Sequence, residues 1–117
     1  DGGGSWHVAR MLPRPVALEM LWLAAPMQPE RLHALGLVNR VTDKGQALAE
    51  ALALAGRLAA MAPNAVAGAK ELVARAAASP LAEHLEAERR QFIVNLFHDN
   101  GDEGLKAFFE KRPPIFR

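Results

Sequence analysis

The sequence predicts a mainly α-helical chain of about six helices and one short strand. Three observations carry this. Apolar residues recur at helical spacing over most of its 117 residues, and prolines stand where helices would begin rather than inside them. Only one stretch, Leu37 to Val41, alternates apolar and polar residues as a half-buried strand does.

Each element has its own local signal. The chain opens on a loop of three glycines, Gly2 to Gly4, a backbone free to take positive φ. The run PVALEMLWL, Pro15 to Leu23, reads as a short helix that proline begins and Pro26 stops. Pro29 opens a second, PERLHALG, with Gly36 as its C′ residue. LVNRV, residues 37–41, follows as the strand, bounded by Gly36 and Thr42-Asp43. Leu48, Ala51, Leu52, Ala55, Leu58 and Ala62 then mark an amphipathic helix of about four turns. A helix from Asn64 to Ala78 carries Val66, Ala69, Val73 and Ala76 on one face. Ser79-Pro80 reads as an N-cap followed by a first-turn proline, opening a helix buried along Leu81, Leu85, Phe92 and Leu96. HDNGD is a loop in this reading, and Asp102 caps a last helix bearing Leu105, Phe108 and Phe109. A single strand has no sheet of its own, so it either pairs outside this sequence or serves as an extended linker.

Composition narrows the function classes. Half of the residues are hydrophobic and 23% are charged, which excludes a disordered tail. At this length burial is marginal, and a partner surface is expected to complete the core. Basic and acidic residues number 14 and 13, giving a net charge of +1 without a run of one sign, so neither nucleic acid nor an anionic membrane is an expected partner. No apolar run approaches the roughly 20 residues of a membrane-spanning helix. The absence of cysteine removes disulfides, thiolate zinc sites and cysteine nucleophiles, and agrees with a cytoplasmic setting.

Constellations for chemistry are sparse. His7, His33, His84 and His98 never fall at the spacing that places two imidazoles on one metal, so no metal site is expected. Ser5 and Ser79 are the only serines and neither sits in a nucleophile elbow. DGGGS could cradle an anion, but it matches neither a dinucleotide fingerprint nor a P-loop, and a tight structural loop explains it. Asp1, beside the glycine loop and followed by Trp6 and Val8, is either a solvated turn carboxylate or one desolvated enough for acid–base work. Lys111-Arg112, ahead of Pro113-Pro114, either complements a helix C-terminal dipole or reaches a phosphate while Phe108 offers a flat face to a purine. Trp22, Phe92, Phe97 and Phe109 are expected in the core. Glu86 and Arg90, at i and i+4, are expected to pair on a solvated helix face.

The ordered series DGGGSW, Ala9-Arg10, ALEM at 17–20, LGLVNRV, a proline-initiated helix with Lys70, Glu103-Gly104, and AFFEKR followed by P-x-F resembles the crotonase family, the enoyl-CoA hydratases and isomerases. The resemblance runs through essentially the whole sequence. It departs from the family pattern at Ala9, at Pro13 and Pro15, at Leu23-Ala24-Ala25, and in a loop at 98–102 about one residue short.

The resemblance implies the end of the family's spiral of ββα units over residues 1–43, then a helical trimerisation region over 44–117. It implies a longer polypeptide acting on acyl-CoA thioesters, hydrating an enoyl-CoA or shifting its double bond through an enolate held in an oxyanion hole. The hole's donors and the hydratase glutamates would precede Asp1, so the 117 residues alone are expected to be inactive. Asp1 matches the position of an acid–base or nucleophilic aspartate. Lys111 and Phe108 match positions that meet a neighbouring subunit's CoA, at phosphate and adenine, and Trp22 lies on the helix bordering the acyl pocket. CoA enters as part of the substrate, with no separate cofactor, and the implied assembly is a homo-oligomer, a trimer or a dimer of trimers. The competing expectation is a non-catalytic helical module for oligomerisation or binding.

Overall fold

The computed structural model describes residues 2–117, which form seven helices: α1 (Gly4–Met11), α2 (Arg14–Leu23), α3 (Pro29–Ala34), α4 (Ala47–Ala59), α5 (Pro63–Ala76), α6 (Leu81–Leu96) and α7 (Asp99–Glu110). The chain divides into two compact units, residues 1–50 and 51–117.

In the first unit α1 packs on α2. The glycine-rich opening argues for a loop, yet α1 begins at Gly4 behind Gly3, whose φ is 81°. Glycine weakens a helix by only about 1 kcal/mol, and here the Arg10 guanidinium lies 3.8 Å over the Trp6 ring one turn earlier. The contact with α2 buries Leu12 and Ala17. Prolines sit in the first turns of α2, α3 and α5 as expected, and Gly36 follows α3 with a φ of 79°.

Residues 37–41 are not a strand. Residues 37–39 are bends and 40–41 are irregular, and among the described residues there is no strand at all. Alternation supplies a two-faced segment, but a ladder needs a neighbouring chain to take its N–H and C=O groups. Here side chains hold the segment instead: His33 Nδ1 lies 3.0 Å from the Val38 carbonyl, and Arg40 donates to Glu50 at 2.9 Å.

In the second unit α6 packs against both α5 and α7. The faces that meet are not the apolar stripes. Asn64, Gly68 and Leu72 of α5 stand at i, i+4 and i+8, turned inward, while Val66 and Val73 are exposed. On α6 the partly buried residues include His84, Ala87, Gln91 and Asn95, whereas Leu81, Leu85 and Phe92 are exposed and only Leu96 is half-buried. The expected core aromatics are likewise outside: Phe92 is 64% and Phe97 83% exposed. Hydrophobicity marks a face that gains by burial, but only a surface positioned against it can bury it. The α4 residues Leu48, Leu52 and Leu58 are exposed for the same reason.

Amides join the second unit. Asn64 Nδ2 and Gln91 Nε2 both donate to Asn95 Oδ1, at 2.9 and 3.2 Å. Asn100, only 6% exposed, donates through Nδ2 to Asn64 Oδ1 and to the Arg117 carbonyl, each at 2.8 Å, and accepts the Arg117 N–H at 2.9 Å. The C-terminal tail is thereby tied to α5 and α7.

Two helix starts differ from expectation. Ser79 does not cap α6, since its hydroxyl donates back to the Arg75 carbonyl at 3.1 Å and Pro80 takes the N-cap position. Helix α7 begins at Asp99, earlier than an Asp102 cap allows, because the His98 ring accepts the Asn100 N–H at 3.1 Å. Gly101 permits that early start: a Cβ there would overlap the Asn95 carbonyl and stand 2.7 Å from the Leu96 carbonyl oxygen.

Candidate functional site

The candidate residues fall in both units. Asp1 lies outside the described residues.

Trp22 is near the end of α2 and is 76% exposed, so the core expectation fails there as well. With Arg14, Pro15, Leu18, Glu19 and Leu23 it lines an open, mainly apolar groove. Glu19 is fixed at one edge by Arg31, which donates to both carboxylate oxygens at 3.0 and 2.9 Å and lowers the Glu19 pKa. The helix stops beyond the groove at Ala24, a left-handed residue with a φ of 47°.

Phe108 and Lys111 come together at the end of α7. Phe108 is 77% exposed and meets Phe109 edge to face, with centroids 5.7 Å apart. Lys111 is the C-cap, left-handed with a φ of 53°, and its N–H reaches the Phe108 carbonyl at 3.3 Å. The Arg112 N–H closes the turn on the Ala107 carbonyl at 3.1 Å, a bond back across five residues of the kind that ends many helices behind a left-handed residue.

The two adjacent cations have different fates. Arg112 spends its fork within the chain: Nη1 and Nη2 donate to Glu103 Oε1 and Oε2 at 2.6 and 3.0 Å, and Nε donates to Glu110 at 2.6 Å. Lys111 is exposed and, among the described residues, has no carboxylate within ion-pair distance. An accessible ammonium three residues from an exposed aromatic ring suits a ligand that carries phosphate next to a ring.

Glu103 also accepts the Ile115 N–H at 2.8 Å. Chiefly through Arg112, and then through that N–H, its pKa falls from an ordinary 4.5 to about 2, while the same pair raises Arg112. A depressed carboxylate stabilises the folded form above the unfolded pKa and loses that contribution as pH falls through the folded one. Tethering of the tail is therefore expected to be intact above pH 4.5 and to weaken progressively toward pH 2. Proteolysis of the tail across this window checks it; a Glu103→Gln variant with the same acid dependence would sink the assignment. Glu86 is also held at about 2, by Arg89 and then Arg90, and the expected Glu86–Arg90 pair is present at 2.8 Å.

Sequence reasoning missed Glu103, Asn64 and Asn100 as organisers of this end. Glu103 and Arg112 are nine residues apart, outside the spacing of neighbours on one helix, and meet because the chain turns back after Lys111. Among the described residues no three acidic or histidine side chains converge as a metal site would require, and no helix is long and apolar enough to cross a membrane.

The sequence profile of the family described as enoyl-CoA hydratase/isomerase matches residues 1–117. The chain belongs to that family. The crystal structure of an enoyl-CoA hydratase from Polaromonas sp. JS666 is similar over all of this chain and 46% of its own, with 51% identity and a TM-score of 0.96. An enoyl-CoA hydratase structure from Geobacillus kaustophilus HTA426 gives 37% identity and a TM-score of 0.94, again over the whole of this chain and 46% of its own. A Mycobacterium leprae protein described as a probable enoyl-CoA hydratase is 36% identical over 97% of this chain and 44% of its own length. The chain thus spans a little under half the length of these relatives, and its helices match the helical region expected of the family.

Proposed function

We propose that the chain is the C-terminal helical portion of a crotonase-type enzyme that hydrates an enoyl-CoA or moves its double bond. The observation that carries this reading is the presence of exposed Phe108 and exposed Lys111, three residues apart at the end of α7, in a chain matched throughout by the enoyl-CoA hydratase/isomerase family. Lys111 takes a CoA phosphate and Phe108 the adenine. Trp22 bounds the acyl group in the groove on α2. Asp1 serves as acid or base near the acyl carbons.

The enolate formed during either reaction needs two N–H donors aimed at the thioester oxygen. In this reading those donors belong to a preceding part of the same enzyme, and the 117 residues alone are inactive. CoA is brought by the substrate and no separate cofactor takes part. The enzyme works in the cytoplasm, in fatty acid metabolism, as a trimer or dimer of trimers, without nucleic acid or membrane partners. The exposed stripe of Leu81, Leu85 and Phe92 supports the assembly. The same stripe would serve a non-catalytic oligomerisation module, the second reading, which requires no affinity for CoA.

The test compares crotonyl-CoA with crotonyl-pantetheine in the complete natural polypeptide. Lys111→Ala is expected to raise KM for the CoA thioester about tenfold or more, as loss of one charge-assisted contact does, while kcat and the pantetheine thioester are unaffected. Equal behaviour of wild type and variant toward both thioesters would remove the phosphate role of Lys111. Assembly without measurable CoA binding would favour the module.

A further inference from the structure

We propose that Glu103 and Arg112 are positioning residues for CoA recognition, holding the turn that aims Lys111; this rests on the reading that Lys111 meets the CoA phosphate. A lysine has no intrinsic preference for a φ of 53°, and a side-chain-bearing residue stays left-handed only where its surroundings demand it. Three features make that demand. Pro113-Pro114 prevent the helix from continuing. The Arg112 N–H bonds to the Ala107 carbonyl at 3.1 Å, closing the reversal from its far side. Glu103, near the start of α7, grips both the guanidinium of the residue after Lys111 and the N–H of Ile115, at 2.6 and 2.8 Å, so that the chain on the C-terminal side of Lys111 is anchored to the body of the helix.

The same contacts decide between the two neighbouring cations. With Nε, Nη1 and Nη2 of Arg112 all donating inside the chain, Arg112 is poorly placed to take a phosphate as well. Lys111, exposed at the left-handed turn, is left for the ligand. Glu103 accordingly acts through Lys111 rather than on substrate.

The experiment is a double-mutant cycle on the dissociation constant of free CoA, measured by calorimetry on the complete polypeptide with Glu103→Gln, Lys111→Ala and the double variant. Glu103→Gln is expected to weaken CoA roughly fivefold, within the range of coupled contacts, and the double variant to bind no worse than Lys111→Ala alone. Arg112→Lys, which keeps the charge but loses the fork, is expected to behave like Glu103→Gln. Additive losses, or unchanged affinity in Glu103→Gln and Arg112→Lys while Lys111→Ala is impaired, would overturn the positioning role alone. Unchanged CoA affinity in Lys111→Ala would overturn the reading beneath it. A general loss of packing in Glu103→Gln shows as a fall in thermal midpoint with additive binding losses, and counts against the proposal.

Discussion

Under the proposed trimeric assembly, replacing Phe92 by glutamate should give monomers. Phe92 lies on the exposed stripe of α6 with Leu81 and Leu85, at 64, 74 and 53% exposure. Contiguous apolar surface of this kind on a helix marks an interaction face. Full burial of a phenylalanine contributes about 1.5–3 kcal/mol, and a glutamate in its place adds the penalty of an unpaired charge taken out of water. In a cyclic assembly that loss recurs at every symmetry-related contact. Sedimentation of the complete polypeptide at micromolar concentration measures it. A trimer that survives Phe92→Glu would show that the assembly is built on another surface, while dissociation with the far-UV spectrum intact would place the interface on α6. Glu83→Gln, a change on the same helix at an exposed polar position, should leave the assembly as it is.

The second large effect is expected at Asn100. Removing its amide with Asn100→Ala takes away two donated bonds and one accepted bond, leaving Asn64 Oδ1 and both backbone groups of Arg117 to find new partners. A partner left unsatisfied in a buried site costs about 1–3 kcal/mol, and the Asn100 site is among the few positions this chain buries. Urea unfolding should show a loss of about 2–3 kcal/mol, with the C-terminal residues exchanging amide protons before the rest. Limited proteolysis should cut residues 113–117 faster in the variant. If tail protection is unchanged, the amide network is not what holds the tail.

These two expectations concern opposite kinds of surface, and neither was fully legible from residue spacing. The stripe on α6 could be read directly, because apolar side chains at i, i+4 and beyond share a face in any helix. Its burial could not, because burial depends on what stands opposite. The contact that α5 and α6 make is instead built on Gly68, Ala87 and the amides of Asn64, Gln91 and Asn95, residue types that spacing rules treat as neutral. At the candidate site the motif AFFEKR led to Phe108 and Lys111, and the structure places them three residues apart at one helix end. The partner of Arg112 was hidden, since Glu103 reaches it only after the chain reverses.

Local chemistry in the sequence was sufficient for the helices bounded by Pro15, Pro29 and Pro63, for the end of α3 at Gly36, for the Glu86–Arg90 pair, and, through the order of its motifs, for the family. Each of those depends on groups within about one helical turn, or on an ordered string of residues that can be matched without knowing its contacts. Tertiary contacts were needed for the helical state of the glycine-rich start, for the unpaired course of residues 37–41, and for the opposite fates of Lys111 and Arg112. In every one of these the outcome turns on a partner distant in the chain or on a closed turn: a helix to pack against, a strand to pair with, or a carboxylate nine residues away. A side chain states what it would gain by contact, and only the folded chain determines which contact it obtains.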